Sequence, residues 1–156
     1  VSAVLDDAIT EARTMARGLF PVQLETDGLH VALQQLAASV HARFAIDCEA
    51  RCDESVVVSD NAFATHLYRI AQEAVSNAVK HAKATKILIQ LESAGGFIEL
   101  RVTDNGVGIP LRAKTKTGLG LHTMEYRART IRGTLNVSAG PSGGTIVSCR
   151  MPQRPV

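Results

Sequence analysis

The sequence predicts an α+β fold, a two-layer sandwich in which helices pack on one face of a mixed β-sheet. Two amphipathic helices come first, and pairs of strands joined by glycine turns follow. Helices and strands do not alternate regularly, as they would in a parallel α/β fold. At 156 residues, with 46% hydrophobic and 21% charged residues, the chain is long enough for one globular domain with its own core.

The first part of the chain predicts two helices and a strand. Residues 2–19 carry apolar side chains at helical spacing, and Pro21 then breaks the pattern. Residues 28–43 repeat the same spacing, which predicts a second helix packed beside the first. Apolar and polar residues alternate over residues 44–50, so a short strand is expected there.

The second part predicts a long helix, two hairpins and one further helix. Asp60 begins the long helix. Four strands follow in two pairs around glycine turns, over residues 86–92, 97–104, 134–139 and 145–151. Between the two pairs a helix is expected over residues 119–132, stopping at Gly133.

Composition excludes several classes of function. A net charge of +2, with aromatic residues at only 4%, argues against a nucleic-acid-binding surface. The longest uncharged stretch is too short and too polar to span a bilayer. Three cysteines without zinc-type pairing indicate reduced thiols rather than a disulfide framework. The chain begins with Val1 and shows no signal-peptide pattern, so we expect it to be part of a longer protein.

The long helix carries the most informative motif. Residues 69–82 read RIAQEAVSNAVKHA, and four polar residues at i, i+4, i+7 and i+8 share one face: Glu73, Asn77, Lys80 and His81. A neighbouring apolar stripe is formed by Leu67, Ile70, Ala71, Ala74, Val75, Ala78 and Ala82. An acid, an amide and two cationic groups suit a magnesium-bound phosphate, whereas a solvated helix face has the same pattern. The helix alone leaves both interpretations open.

Asp104 ends a strand on the same face as Ile98, Leu100 and Val102, so its carboxylate is expected to point toward the core. A buried carboxylate needs donors, and the exocyclic amine of a purine is one. The D-x-G-x-G sequence that follows lets the backbone approach a flat ligand, although Asp-Asn-Gly is also an ordinary turn signal.

Two further glycine motifs follow. Residues 118–121, Gly-Leu-Gly-Leu, open a helix whose N-terminus is suited to an anion. The preceding basic segment, residues 110–117, is long enough to fold over a bound nucleotide, but a solvated loop would look the same. Gly143-Gly144-Thr145 leads into a strand in which the Thr145 hydroxyl is expected to point inward.

Taken in order, these motifs are E-x-x-x-N-x-x-K-H, D-x-G-x-G, G-L-G-L and G-G-T. That order resembles the ATP-binding domain of the GHKL superfamily, which joins histidine kinases, type II topoisomerases, a heat-shock chaperone and mismatch-repair ATPases. Residues 68–74, 80–82 and 124–128 resemble more narrowly the sensor histidine kinases of the nitrate-sensor and lipid-fluidity-sensor subfamily. The resemblance runs from about residue 12 to Pro152.

The resemblance implies the Bergerat (GHKL) fold and a role for each motif residue. Asn77 would ligate Mg²⁺, and Glu73 would orient or deprotonate an attacking imidazole. Asp104 would accept from the adenine amine, with Thr145 supporting it through a water. The other implied nucleotide-binding residues are Lys80, His81, Gly106, Gly108, Gly118, Leu119, Gly120 and Leu121. The implied chemistry is transfer of the ATP γ-phosphoryl group to a histidine, then to a response-regulator aspartate.

The resemblance also implies domains and partners. Residues 1–20 would be the tail of a dimerisation helix with a linker, and residues 21–156 the catalytic domain. ATP, Mg²⁺, an upstream dimerisation and phospho-acceptor domain, and a response regulator are implied, in a homodimeric parent with this domain in the cytoplasm. None of the five histidines has the acidic neighbour typical of an acceptor histidine, so we expect the chain to bind ATP without phosphorylating itself.

Two other functions are compatible with the same motifs. The first is a nucleotide-binding regulatory module without transfer activity, against which Glu73 argues, because a pure binder does not need a carboxylate one turn before a magnesium ligand. The second is an anti-sigma-type serine kinase on the same fold, against which the N-terminal helix argues, since it resembles a dimerisation-helix remnant.

Overall fold

The structure of the chain is a computed structural model, which describes residues 2–6, 8–9, 28–109 and 118–153. Residues 2–6 and 8–9 are helical. From residue 28 onward the helices are α1 (Gly28–Phe44), α2 (Asn61–His81) and α3 (Leu119–Thr130). The strands are β1 (Asp47–Cys52), β2 (Lys86–Ala94), β3 (Phe97–Asp104), β4 (Thr134–Ala139) and β5 (Thr145–Pro152).

The five strands form one mixed sheet in the order β1-β2-β3-β5-β4. β1 and β2 are parallel, and the other neighbouring pairs are antiparallel. Alternate residues of β2, β3 and β5 are buried, as expected when helices cover one face of the sheet. The predicted α+β sandwich is confirmed.

α2 is the central helix of the core. Its N-cap is Asp60, whose side chain accepts hydrogen bonds from the backbone N–H groups of Ala62 at 2.9 Å and Phe63 at 3.3 Å. The helix ends at His81 with Ala82 as its C-cap, after which Lys83 has a positive φ of 50°. Every residue of the predicted apolar stripe is buried: Leu67, Ile70, Ala71, Ala74, Val75, Ala78 and Ala82.

Several predicted boundaries differ from the observed ones, and two of the differences have an identifiable cause. The strand expected over residues 44–50 is β1, which begins only at Asp47, because α1 continues through Phe44. Phe44 is 53% exposed, and Ala45 then reverses the chain with a φ of 53°. The helix expected to continue to residue 132 ends at Thr130, because Arg132 rather than Gly133 adopts the left-handed conformation that terminates it, with a φ of 58°.

Some expectations lie outside the described residues. These are the remainder of the helix predicted over 2–19, the break at Pro21, the domain boundary at residue 20, and the basic segment 110–117. In the described ranges, no helix has the length and apolar character needed to cross a membrane.

Candidate functional site

The polar face of α2 lies in its second half. Glu73 and Asn77 are half-buried, whereas Lys80 and His81, in the last turn, are exposed. The apolar stripe beside them packs against the sheet and α3. The four predicted residues therefore share the boundary between the core and solvent, where a ligand can reach them.

The carboxylate of Glu73 meets the first turn of α3. A Cβ added to Gly120 would collide with Oε1 of Glu73 and would lie 3.0 Å from its Cδ. Gly118 is the N-cap of α3, with no side-chain cap, and its carbonyl accepts from the N–H groups of Leu121 and His122 at 3.1 and 3.3 Å. The structure thus brings the Gly-Leu-Gly-Leu motif and its helix N-terminus to the acid of the α2 motif.

Asp104 is buried at the end of β3, with 8% of its surface exposed. It shares the inward face of the strand with Ile98, Leu100 and Val102, as the alternation predicted. Its Oδ1 accepts the N–H of Gly106 at 2.8 Å, which closes the turn that begins the D-x-G-x-G loop. The carboxylate retains acceptor capacity beyond this one hydrogen bond.

The turn before β5 packs directly on this loop. Gly144 has a φ of +80°, and a Cβ added to it would collide with the carbonyl oxygen of Asp104. A Cβ added to Gly108 would lie 3.2 Å from the carbonyl oxygen of Gly144. Thr145, the next residue, is half-buried on the inward face that Val147 continues. The G-G-T and D-x-G-x-G motifs are therefore in contact, and only glycine permits it at residue 144.

The same loop also touches the C-terminal end of α2. The N–H of Val107 donates to the carbonyl of Ala82 at 2.8 Å. A Cβ added to Gly106 would collide with that carbonyl oxygen and lie 2.5 Å from the Cβ of Ala82. α2 therefore contacts the D-x-G-x-G loop at its end and the Gly-Leu-Gly-Leu motif at Glu73.

Asn105 is a positioning residue that the sequence analysis did not assign. Its Oδ1 accepts the N–H groups of Thr85 and Lys86, both at 2.9 Å, and its Nδ2 donates to Oγ1 of Thr85 at 2.8 Å. These bonds join the connection after α2 to the loop after β3. The signal was present in the Asp-Asn-Gly sequence, because Asn side chains in turns commonly bond to backbone groups.

Polar side chains also meet farther along the contact between α2 and α3. Nη1 of Arg127 lies 3.4 Å from Nδ1 of His66, and Arg69, 7% exposed, donates to Oε1 of Gln72 at 2.8 Å. Burial and, secondarily, the charge of Arg127 lower the pKa of His66 from its ordinary value. His66 is seven residues before Glu73, a spacing that puts both on one helical face and could have identified it.

Curated relatives of the chain are sensor kinases. It is 31% identical over 152 residues to the sensor histidine kinase LiaS of Bacillus subtilis, a match that covers 97% of this chain and 42% of that protein. It is 34% identical over 130 residues to the nitrate/nitrite sensor protein NarX of Escherichia coli, covering 82% of this chain and 21% of that protein. The chain therefore spans less than half the length of these relatives.

The fold is similar to that of a solved sensor kinase. The blue-light activated histidine kinase EL346 of Erythrobacter litoralis matches with a TM-score of 0.68 at 25% identity, over 80% of this chain and 45% of that chain. Residues 63–155, from α2 onward, match the family described as histidine kinase-, DNA gyrase B-, and HSP90-like ATPases. This confirms the GHKL resemblance drawn from the motifs, and the chain belongs to that ATPase family.

Proposed function

We propose that this chain is the ATP-binding catalytic domain of a two-component sensor histidine kinase. It would bind ATP with Mg²⁺ and transfer the γ-phosphoryl group to a histidine, for relay to an aspartate of a response regulator. The observation that supports this most is that α2 contacts both glycine motifs, at Ala82 and at Glu73. An acid and an amide on this helix are thereby set between two surfaces that suit the two ends of a nucleotide.

The proposed adenine end is formed by Asp104 and the glycines around it. A buried carboxylate is stabilised by neutral donors, and the adenine amine is such a donor. Gly106 and Gly108 would line the flat faces of the base, because neither carries a side chain, and Thr145 would support Asp104 through a water. The close backbone packing of Gly144 on Asp104 fits a pocket whose shape is fixed before the ligand arrives.

The proposed phosphate end is the N-terminus of α3. The backbone of Gly118, Leu119, Gly120 and Leu121 would meet the phosphates, because a helix N-terminus combines backbone donors with the positive end of the helix dipole. Lys80 and His81 would add positive charge. Asn77 offers one neutral oxygen to Mg²⁺, which fits a cation that normally keeps waters and substrate phosphates as its other ligands. Bound there, Mg²⁺ would neutralise charge on the phosphates.

The proposed chemistry is an in-line phosphoryl transfer. A nitrogen of the acceptor imidazole would form a bond to the γ-phosphorus as the bond from that phosphorus to the β–γ bridging oxygen breaks, releasing ADP. The carboxylate of Glu73 would orient the imidazole through its other N–H and accept that proton. Positioning and charge stabilisation would supply most of the rate.

The same proposal covers the parts of the protein around this domain. Residues 1–20 would be the end of a dimerisation helix with its linker, and residues 21–156 the catalytic domain. The acceptor histidine would come from a dimerisation domain, in a homodimer whose catalytic domains lie in the cytoplasm. A response regulator would receive the phosphoryl group.

Nucleotide binding tests the site. We would titrate ADP and a non-hydrolysable ATP analogue calorimetrically, with and without Mg²⁺, into wild type, Asp104→Asn and Asn77→Ala. Asp104→Asn is expected to abolish binding without unfolding the chain, because an amide oxygen can still accept the Gly106 N–H. Asn77→Ala should weaken only the part of the nucleotide affinity that depends on Mg²⁺. Asp53→Asn, an exposed acid at a distant turn, is the matched control. A folded wild type that binds neither nucleotide would overturn the proposal.

Transfer is tested separately. A histidine-bearing dimerisation domain of the nitrate/nitrite-sensor type would be supplied with MgATP, and acid-labile phosphate on it measured. Glu73→Gln should bind ADP like wild type yet transfer at least about 100-fold more slowly, the scale of a lost general base. Nucleotide binding by wild type without any transfer would favour the regulatory module instead.

A further inference from the structure

α2 and α3 run antiparallel, and polar side chains of α2 reach α3 at two points. At one end Glu73 lies against Gly120, and at the other His66 meets Arg127. Each helix advances seven residues between the two contacts, which is about 10 Å at 1.5 Å per residue. The distance along both helices is therefore the same, so the two contacts define one register of α3 on α2.

The chemistry of the far contact fixes the state of the histidine. A guanidinium has only donors, so Nδ1 of His66 must accept from Arg127, which requires a neutral ring with its proton on Nε2. The contact is long for a hydrogen bond, at 3.4 Å, and it is part-buried. Burial strengthens such an interaction, because less water competes for either group.

Apolar packing holds α3 mostly through its C-terminal half. Met124 and Ala128 are buried, as is Ile131 just after the helix, whereas Leu121 in the first turn is only half-buried against the core. Leu119, at the start of α3, is 73% exposed. Apolar packing therefore constrains the N-terminal turn of α3, which carries Gly120, less than the rest of the helix, and a directional contact can add to its alignment.

We propose that His66 and Arg127 are positioning residues for the phosphate end of the site, because their hydrogen bond fixes α3 so that Gly120 faces Glu73. A shift of one residue would turn a leucine, Leu119 or Leu121, toward the carboxylate. Glu73 would then be displaced and the α3 N-terminus misaligned. The inference rests on the proposed function for the meaning of Glu73, whereas the coupling between the two contacts is a property of the chain alone.

The test compares three variants of the full chain. His66→Ala removes the acceptor, and His66→Asn replaces Nδ1 with an amide oxygen at a similar reach. His30→Ala is the matched control, because it also removes a histidine hydrogen bond, to the carbonyl of Asp53, but lies on α1. Thermal unfolding is recorded first, so that any loss of fold is separated from a change of register.

Two readouts follow. The ¹H–¹⁵N resonances of Gly120 and Leu121, recorded without nucleotide, report the position of α3 two turns away from the mutation. We expect them to move in His66→Ala, to return in His66→Asn and to stay in place in His30→Ala. The Kd for ADP with Mg²⁺ is expected to rise about three- to tenfold in His66→Ala, the range of coupling between contacting residues, and to be restored in His66→Asn.

The outcomes are separable. Unmoved Gly120 and Leu121 resonances in a folded His66→Ala would overturn the inference, whatever the affinity for ADP. Failure of wild type to bind ADP would overturn the proposed function and leave the resonance comparison to decide the coupling. If His66→Ala does not fold, Arg127→Lys takes its place, with the same expected resonance shifts. Lysine keeps the positive charge but replaces the forked guanidinium with a single ammonium group.

Discussion

The carboxylate of Glu73 lies directly against Gly120, so the middle of α2 is joined to the first turn of α3 at a point where no side chain intervenes. The same face of α2 carries Asn77 one turn later. The position of the Glu73 carboxylate, the proposed base, therefore depends on a glycine in another motif. The two motifs are separated by more than forty residues in sequence, and the fold makes them one surface.

Gly120→Ala is expected to displace the Glu73 carboxylate while leaving the fold intact. The added Cβ collides with the far end of a flexible side chain, so the carboxylate can move and the cost in stability stays small. A base misplaced by about 1 Å is expected to lower the transfer rate about 100-fold. The rate is measured with an acceptor domain and MgATP.

A double-mutant cycle provides the control for that prediction. Adding Gly120→Ala to Glu73→Gln should slow transfer little beyond Glu73→Gln alone, because both changes act on the same group. Multiplicative losses in the double variant would mean that Gly120→Ala acts elsewhere, and wild-type rates in Gly120→Ala would remove the contact from the mechanism.

Gly144→Ala is expected to destabilise the chain more than Gly96→Ala does. Both glycines have a φ near +80°, so both substitutions carry a similar backbone cost of about 1–2 kcal/mol. A Cβ at Gly144 also collides with the backbone of Asp104, whereas a Cβ at Gly96 meets nothing within 4 Å. Overpacking against backbone is expected to add about 1–3 kcal/mol. Urea unfolding measures the difference between the two variants. Equal losses in the free energy of unfolding would show that the backbone of the loop can shift to accommodate a Cβ at residue 144.

Much of this arrangement could be predicted from local patterns. The spacing of apolar residues on α2 predicts its buried stripe, and alternation along β3 predicts that Asp104 points inward. Both predictions follow from the repeat within one helix or one strand and need no knowledge of its neighbours. The order of the motifs then indicated the family before any long-range contact was known.

The errors and omissions have a different origin. Phe44 was predicted in a strand because it fits the alternation, yet it is the last residue of α1, and the chain reverses only at Ala45, whose φ is positive. The contact between Glu73 and Gly120 depends on how two helices pack, which no local pattern specifies. The bonds of Asn105 to Thr85 and Lys86 likewise depend on two connections that meet at the ends of the neighbouring strands β2 and β3.

Asn105→Ala is expected to loosen the connection between α2 and β2. It removes an acceptor shared by the N–H groups of Thr85 and Lys86, as well as a donor to the Thr85 hydroxyl. Because Asn105 is exposed, water can replace part of these bonds, and a loss of about 1–2 kcal/mol in the free energy of unfolding is expected. Hydrogen exchange at the Thr85 and Lys86 amides should speed up as well.

The isosteric change Asn105→Asp serves as its comparison. It keeps both backbone acceptor interactions and loses only the donated hydrogen bond, so it is expected to cost less than Asn105→Ala. If Asn105→Asp lowers the free energy of unfolding as much as Asn105→Ala does, the hydrogen bond to the Thr85 hydroxyl makes the main contribution instead.

Arg132→Gly is expected to stabilise the chain by about 0.5–1 kcal/mol, because glycine adopts the left-handed conformation without the strain of a Cβ. Arg132 is exposed and has a φ of 58° at the end of α3. The same substitution three residues earlier, Arg129→Gly, lies inside the helix and should destabilise by about 1 kcal/mol. Thermal unfolding of both variants measures the contrast, and destabilisation by Arg132→Gly would mean that its side chain contributes contacts that outweigh the strain.

The stability of the chain is expected to fall in acid through His66. Burial and the charge of Arg127 lower the pKa of His66 below its ordinary value of 6.5, so the unfolded chain takes up this proton at a higher pH than the folded chain. The contribution of neutral His66 is therefore complete above about pH 6.5 and is lost as the pH falls through the folded pKa. Protonation would also remove the acceptor for Arg127 and place a third cation beside it and Arg69.

His66→Asn does not titrate and serves as the reference for that pH dependence. The other histidines are common to both proteins, so their contributions cancel in the difference. Urea unfolding at pH 7.5, 6.5, 5.5 and 5.0 is expected to show wild type losing stability relative to His66→Asn as the pH falls. Parallel curves over this range would mean that His66 has the same pKa in the folded and unfolded chains, and its contact with Arg127 would then not be a hydrogen bond that requires a neutral ring.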